Sequence, residues 1–149
     1  MRTVLLQPDH EYLVMTWLGQ QFHEDGITVV DQLFHGWEDR DLPLVQVSRS
    51  GGRPVNSLLD GPRIDVDCYT DAETTTKRAC AELARVVEAV LPAIKGVTVT
   101  EPDGTLVPGV VTDVGIEAGP SWRPDFNPKV HHYGVVASLV VRHSKQPRR

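Results

Sequence analysis

Asp65 and Asp67 stand two residues apart in Arg63-Ile64-Asp65-Val66-Asp67-Cys68-Tyr69. On a strand, both carboxylates leave the same face. Such a pair could bind a divalent cation or share a proton. No histidine or third carboxylate follows at a recognisable ligand spacing, and outward-facing acids on a strand are ordinarily just solvated. His131 and His132 are adjacent, point to opposite faces of a strand and cannot easily share a metal. His10, His23, His35 and His143 are scattered without the spacing of a zinc site. Ser50-Gly51-Gly52-Arg53 lacks the lysine of a phosphate loop and does not run straight into a helix. Cys68 and Cys80 form no Cys-x-x-Cys pair, have no histidine beside them in sequence, and read as buried small hydrophobes. No Gly-x-Ser-x-Gly elbow occurs. The sequence therefore assigns no catalytic, cofactor-binding or metal-ligating residue, and it points away from an enzyme.

The elements that would carry these residues follow from periodicity. Asp9 suits a helix N-cap or first turn. Val14, Leu18 and Phe22, with Leu13, Met15 and Trp17 beside them, predict an amphipathic helix over about 9–24, ending before Asp25-Gly26. Ile27–Phe34 and Leu42–Ser48 read as an antiparallel pair around the charged turn 36–41, with Val45 and Val47 on one face and Gln46 and Ser48 on the other. Residues 50–62 carry glycine and proline at both ends and read as a long connection, of a length that is often functional. Its Leu58-Leu59 pair either folds back on the core or is covered by a neighbouring subunit. In the alternating strand 63–69, Ile64, Val66 and Cys68 face the core, and Arg63, Asp65, Asp67 and Tyr69 face outward.

Asp71 is the expected cap of a second helix with the apolar stripe Ala79, Leu83, Val86, Val87, Val90, Leu91 and Ile94, closed by Pro92 and Gly96. A short strand at 97–100, a turn at 102–104 and longer strands at 110–117 and 130–142 complete the chain. The three prolines of 119–128 argue against a regular ladder there. The expected fold class is α+β: an antiparallel or mixed β-sheet packed against two helices, in the order α-β-β-β-α-β-β, as one domain over residues 1–149.

At 149 residues the chain has the length of one domain with a real core. A net charge of −5 disfavours sequence-independent nucleic-acid binding, which needs a positive field. The basic segment 143–149 is an exception, expected to be a flexible tail. No apolar run reaches the length of a membrane helix, and Met1–Pro8 is too short and too soon interrupted for a signal peptide, so synthesis in a cytoplasm without membrane association is expected.

What remains suits contact between proteins. Trp122 and Phe126 are bulky rings in a proline-pinned segment, where little entropy is lost on ordering. They either meet a partner or cap the bottom of the sheet. Three stretches carry a family likeness: Pro62-Arg63-Ile64-Asp65-Val66-Asp67-Cys68-Tyr69 leading to an alanine-rich helix; Gly119-Pro120-x-Trp122 with Asn127-Pro128 beyond it; and the closing strand from Val130-His131-His132-Tyr133-Gly134 to Arg142. With the opening helix and hairpin, the chain resembles the tail terminator proteins of long-tailed, siphovirus-type phages, particularly those infecting actinobacteria. It departs in the last strand, where His131 and His132 stand in place of the arginines such proteins often carry.

The resemblance implies a homohexameric ring that caps the tail tube, stops its polymerisation and joins the tail to the head. The implied partners are further copies of the chain, the tail-tube protein and the head–tail connector protein, with DNA met only as it passes through the ring. The implied location is the head-proximal end of the tail in the virion. Candidate subunit or tube contacts are Arg53, Leu58, Leu59, Arg63, Asp65, Asp67, Trp122, Arg123 and Phe126. Another head–tail component, an adaptor or stopper, is the nearest alternative. A small α+β ligand-binding domain or enzyme is a further one.

Overall fold

The computed structural model describes residues 9–143. Helix α1 (His10–Gln21) begins where the Asp9 carboxylate accepts the Tyr12 N–H at 3.0 Å, and a 3₁₀ turn (His23–Asp25) and left-handed Gly26 end it. Strand β1 (Thr28–Val30), a short helix α2 (Trp37–Arg40) and strands β2 (Leu44–Pro54) and β3 (Leu59–Asp71) follow. Helix α3 (Lys77–Val90) runs into a 3₁₀ turn (Leu91–Ile94), and β4 (Val110–Trp122) and β5 (Val130–Arg142) close the fold. The class is α+β, with one five-stranded mixed sheet in the order β1-β2-β3-β5-β4. The strands and the two long helices follow the order read from the sequence.

Both long helices cover one face. Leu13, Val14, Trp17 and Leu18 of α1 and Cys80, Ala84 and Val87 of α3 are buried against Val45, Val47, Ile64, Val66, Cys68, Val135 and Ala137. Valine and isoleucine at alternate strand positions supply this layer, as the period of two requires. A smaller cluster of Leu44, Tyr69 and Val130 lies apart from the main core, under Leu33, Trp37 and Leu42. Tyr69 is therefore buried, 5% exposed, although the strand alternation put it outward. Its ring meets Trp37 edge-on at 4.8 Å.

Several boundaries correct the sequence reading. β1 is brief and pairs parallel, not antiparallel, with β2, through Thr28 opposite Leu44 and Val30 opposite Gln46. Parallel pairing needs a long crossover, and residues 31–43 provide one in which the charged turn is the helix α2. Residues 50–62 are not a loop: the β2–β3 ladder continues to Pro54 opposite Asp60 after a bulge between Arg49 and Gly51. Gly52 makes this possible, because a Cβ there would stand 2.1 Å from the Gly61 carbonyl oxygen.

The cap of α3 is Thr76, whose side chain accepts the Ala79 N–H, whereas Asp71 holds the Glu73 N–H in the preceding turn. The buried stripe of α3 is rotated accordingly: Cys80, Ala84, Val87, Leu91 and Ile94 are inside, whereas Ala79 and Val86 are exposed. Residues 97–100 contribute only a bridge from Thr100 to Leu106. β4 runs on through Pro120 to Trp122, because three register shifts let this edge strand bypass its partner. The basic tail lies, beyond His143, outside the described residues.

Candidate docking surfaces

The candidate residues fall on three parts of the sheet. At one end, the turn after β2 presents Leu58, 64% exposed, with Val55 beside it. Asn56 Oδ1 accepts the backbone N–H groups of Leu58 and Leu59, and the Val55 N–H reaches the Leu59 carbonyl, so the turn is built before any partner arrives. Leu59 is half-buried, and Arg53 is exposed on β2 opposite Gly61.

Arg63, Asp65 and Asp67 lie mid-sheet on the face away from α1 and α3. Arg63 Nε pairs with Glu117 Oε2 at 3.2 Å, and Ser138 also bonds Glu117. Asp67 Oδ1 accepts from Arg123 Nη1 at 2.8 Å and from His132 Nε2 at 2.7 Å. On the other side of the same imidazole, Asp125 Oδ2 stands 3.4 Å from Nδ1. Tyr69 stacks on His132 at 4.3 Å, and burial, then the nearby Asp67 charge, pushes its phenol up. Gly134 makes room for the latch, since a Cβ there would lie 2.3 Å from the Arg123 guanidinium carbon. Asp67 and Arg123 thus meet each other within one chain and tie the loop after β4 to the sheet. Asp65 has no ion pair among the described residues.

The third region is the far end of the sheet. Trp122 closes β4, 51% exposed, with Lys77 Nζ 3.8 Å from its ring centroid. Phe126 is fully exposed in the latched loop. Neither ring caps the sheet; Trp37 and Leu42 do that.

A buried polar network escaped the sequence reading. His10, 1% exposed on α1, has its Nδ1 2.9 Å from Asp60 Oδ2. Arg49 forks over the same carboxylate at 2.8 and 3.2 Å, and the Gly61 N–H supplies a further bond. Burial opposes the Asp60 charge, but the Arg49 guanidinium, with His10 beside it, outweighs burial and holds the carboxyl below its usual range. Burial likewise pushes His10 down despite the pull of Asp60. Glu11 Oε2 accepts the Arg49 N–H at the bulge, so the first turn of α1 grips the base of the hairpin. Asp60 falls inside the stretch read as a connection and Arg49 just before it, and nothing in spacing ties either to a histidine many residues away.

Little of this is reactive. Cys68 and Cys80 are buried free thiols, and burial pushes both up and keeps them protonated. No group of three or more histidine, cysteine or acidic side chains is arranged to hold a metal among the described residues. Two shallow clefts of about 450 and 490 Å³ lie on the surface. No helix among the described residues is long and apolar enough to cross a membrane.

The helix-backed sheet ties Arg63 and Asp67 internally and shows exposed apolar side chains at both ends, an arrangement suited to contact with other subunits. Residues 6–120 match the phage tail termination protein family, and the chain belongs to that family. It is accordingly a structural protein of the phage tail, of a non-enzymatic kind. A comparison with curated proteins found no match.

Proposed function

We propose that this chain closes into a homohexameric ring on the finished tail tube, ends its polymerisation and presents the surface that joins the tail to the head. The family match over residues 6–120 carries this reading. Physically, a ring needs a heterologous contact, in which two different patches of the same subunit meet and the rotation closes. The molecule has exposed apolar groups at opposite ends of its sheet, Val55 and Leu58 at one and Trp122 and Phe126 at the other, which suits such a contact better than one self-complementary patch. The partners on the ring faces are the tail-tube protein and the head–tail connector protein, and DNA passes through the opening. The ring sits at the head-proximal end of the tail.

Electron microscopy of particles made without the protein tests the assignment. Loss of a terminator leaves tails of abnormal length. Normal tails beside heads that leak DNA would instead mark a stopper and overturn the proposal.

A further inference from the structure

We infer that the tip of the β2–β3 hairpin of one copy docks in the acid-rimmed cleft at the opposite end of the sheet of the next copy. The contact rests on the ring proposed above and gives it a specific geometry.

The donor patch is the outer half of the hairpin. Every residue from Ser50 to Leu58 is exposed, although the segment is ordered by ladder pairing and by the Asn56 turn. Its only exposed large apolar side chains are Val55 and Leu58. Its single cationic side chain, Arg53, has no ion pair among the described residues, whereas Arg49 and Arg63 on either side are held by Asp60 and Glu117. The tip therefore offers two apolar contacts and one free guanidinium on a pre-ordered turn, the composition that carries binding energy at small cost in entropy.

The acceptor is the cleft of about 450 Å³ where β2 begins, β3 ends and α3 starts. Ile27, Leu42 and Leu83 line it, and Asp25, Glu38 and Asp39 stand among them. Asp39 is paired with Lys129, and Arg40 is taken up by Asp41 and the His35 carbonyl. Asp25 and Glu38 have no ion pair among the described residues. The cleft thus combines an apolar floor with a polar, net acidic rim, and the tip combines apolar side chains with spare positive charge. Complementary charge of this kind fixes register and disfavours wrong partners.

Position favours a second copy of this chain. The tip and the cleft lie at opposite ends of the thirteen-residue strand β3, about 40 Å apart at the usual rise per residue. One subunit cannot fill its own cleft, but a row of copies can do so head to tail, as a ring needs.

Cross-linking and charge exchange test the contact in the full chain, alone and on tail tubes isolated from the producing lysate. With Leu58→Cys and Glu38→Cys in every copy, mild oxidation should give a ladder of linked subunits that neither single variant forms. The native thiols are buried and do not contribute. Arg53→Glu should weaken assembly about tenfold, and adding Glu38→Arg should restore it. Both positions lie on the surface, and circular dichroism and thermal melting check that each variant folds. A ring that forms without the ladder and ignores Arg53→Glu would overturn this contact while leaving the ring standing. If the wild-type chain forms no ring under either condition, the ring proposal itself fails, and this one fails with it.

Discussion

Replacing Asp60 by alanine removes the acceptor at the centre of the His10–Asp60–Arg49 network. Asp60 Oδ2 faces His10 Nδ1 and Arg49 Nη1, and Oδ1 receives Arg49 Nη2 and the Gly61 N–H. His10 Nε2 has no partner among the described residues, so the variant leaves a buried imidazole with neither nitrogen bonded to them. Breaking a buried ion pair by removing one partner costs about 3–5 kcal/mol. The Arg49 side chain is 29% exposed and can turn to water, which places the expected loss near the lower end, about 3 kcal/mol. For a chain of this size that corresponds to a melting point lower by about 6–12 °C.

Urea denaturation near pH 7.5 measures the loss, with the m-value unchanged if the effect is confined to the native state. The pH dependence follows from the same groups. Asp60 lies below its ordinary 3.8 in the fold, so its contribution is present above that value and disappears as pH falls through the folded-state pKa. His10 lies below its ordinary 6.5, so the unfolded chain takes up the proton first and stability declines as pH drops from about 6.5. Both act in the same direction. Asp60→Ala should remove the carboxyl's part of the decline below 3.8, whereas the decline from about 6.5 persists or deepens, because His10 loses the pull of Asp60 that opposes burial. A loss under about 0.5 kcal/mol, the range of ordinary surface changes, would refute the view that this network holds the hairpin to α1.

Gly52→Ala should cost about 2–3 kcal/mol, because its φ of 86° and the Gly61 carbonyl 2.1 Å from the new Cβ both resist a side chain; equilibrium denaturation reads this out. Cys68 and Cys80 should ignore a thiol reagent in the native protein and both react in denaturant; rapid native labelling would contradict their burial. Trp122→Ala should melt within about 1 kcal/mol of the wild type while weakening ring or tube association, since the indole is half-exposed and touches Lys77. Unchanged assembly in analytical ultracentrifugation would remove Trp122 from the interface.

The sequence showed some of these features clearly and hid others for identifiable reasons. β5 runs from Val130 to Arg142 as its dense valines predict, and α1 starts at the expected Asp9 cap. Strand direction was not visible in β1, because alternation carries no sign and the charged residues 36–41 suit a turn as well as the short helix they form. Glycine and proline concealed the hairpin at 50–62 and the end of β4. At Gly52 the glycine serves a close backbone approach, and at Pro120 register shifts on an edge strand accommodate the ring. Among the candidate residues, sequence could place Asp65 and Asp67 on one face but could not show that Arg123 and His132 already occupy Asp67. The His10–Asp60 contact joins positions on different elements, and only the tertiary fold brings them together.

The most direct measurement is the position of this protein on isolated tails, by gold-labelled antibody under the electron microscope. Label confined to the head-proximal tip, at a ratio of one ring per tail, is the predicted result. Label spread along the tube, or tails with none, would contradict it.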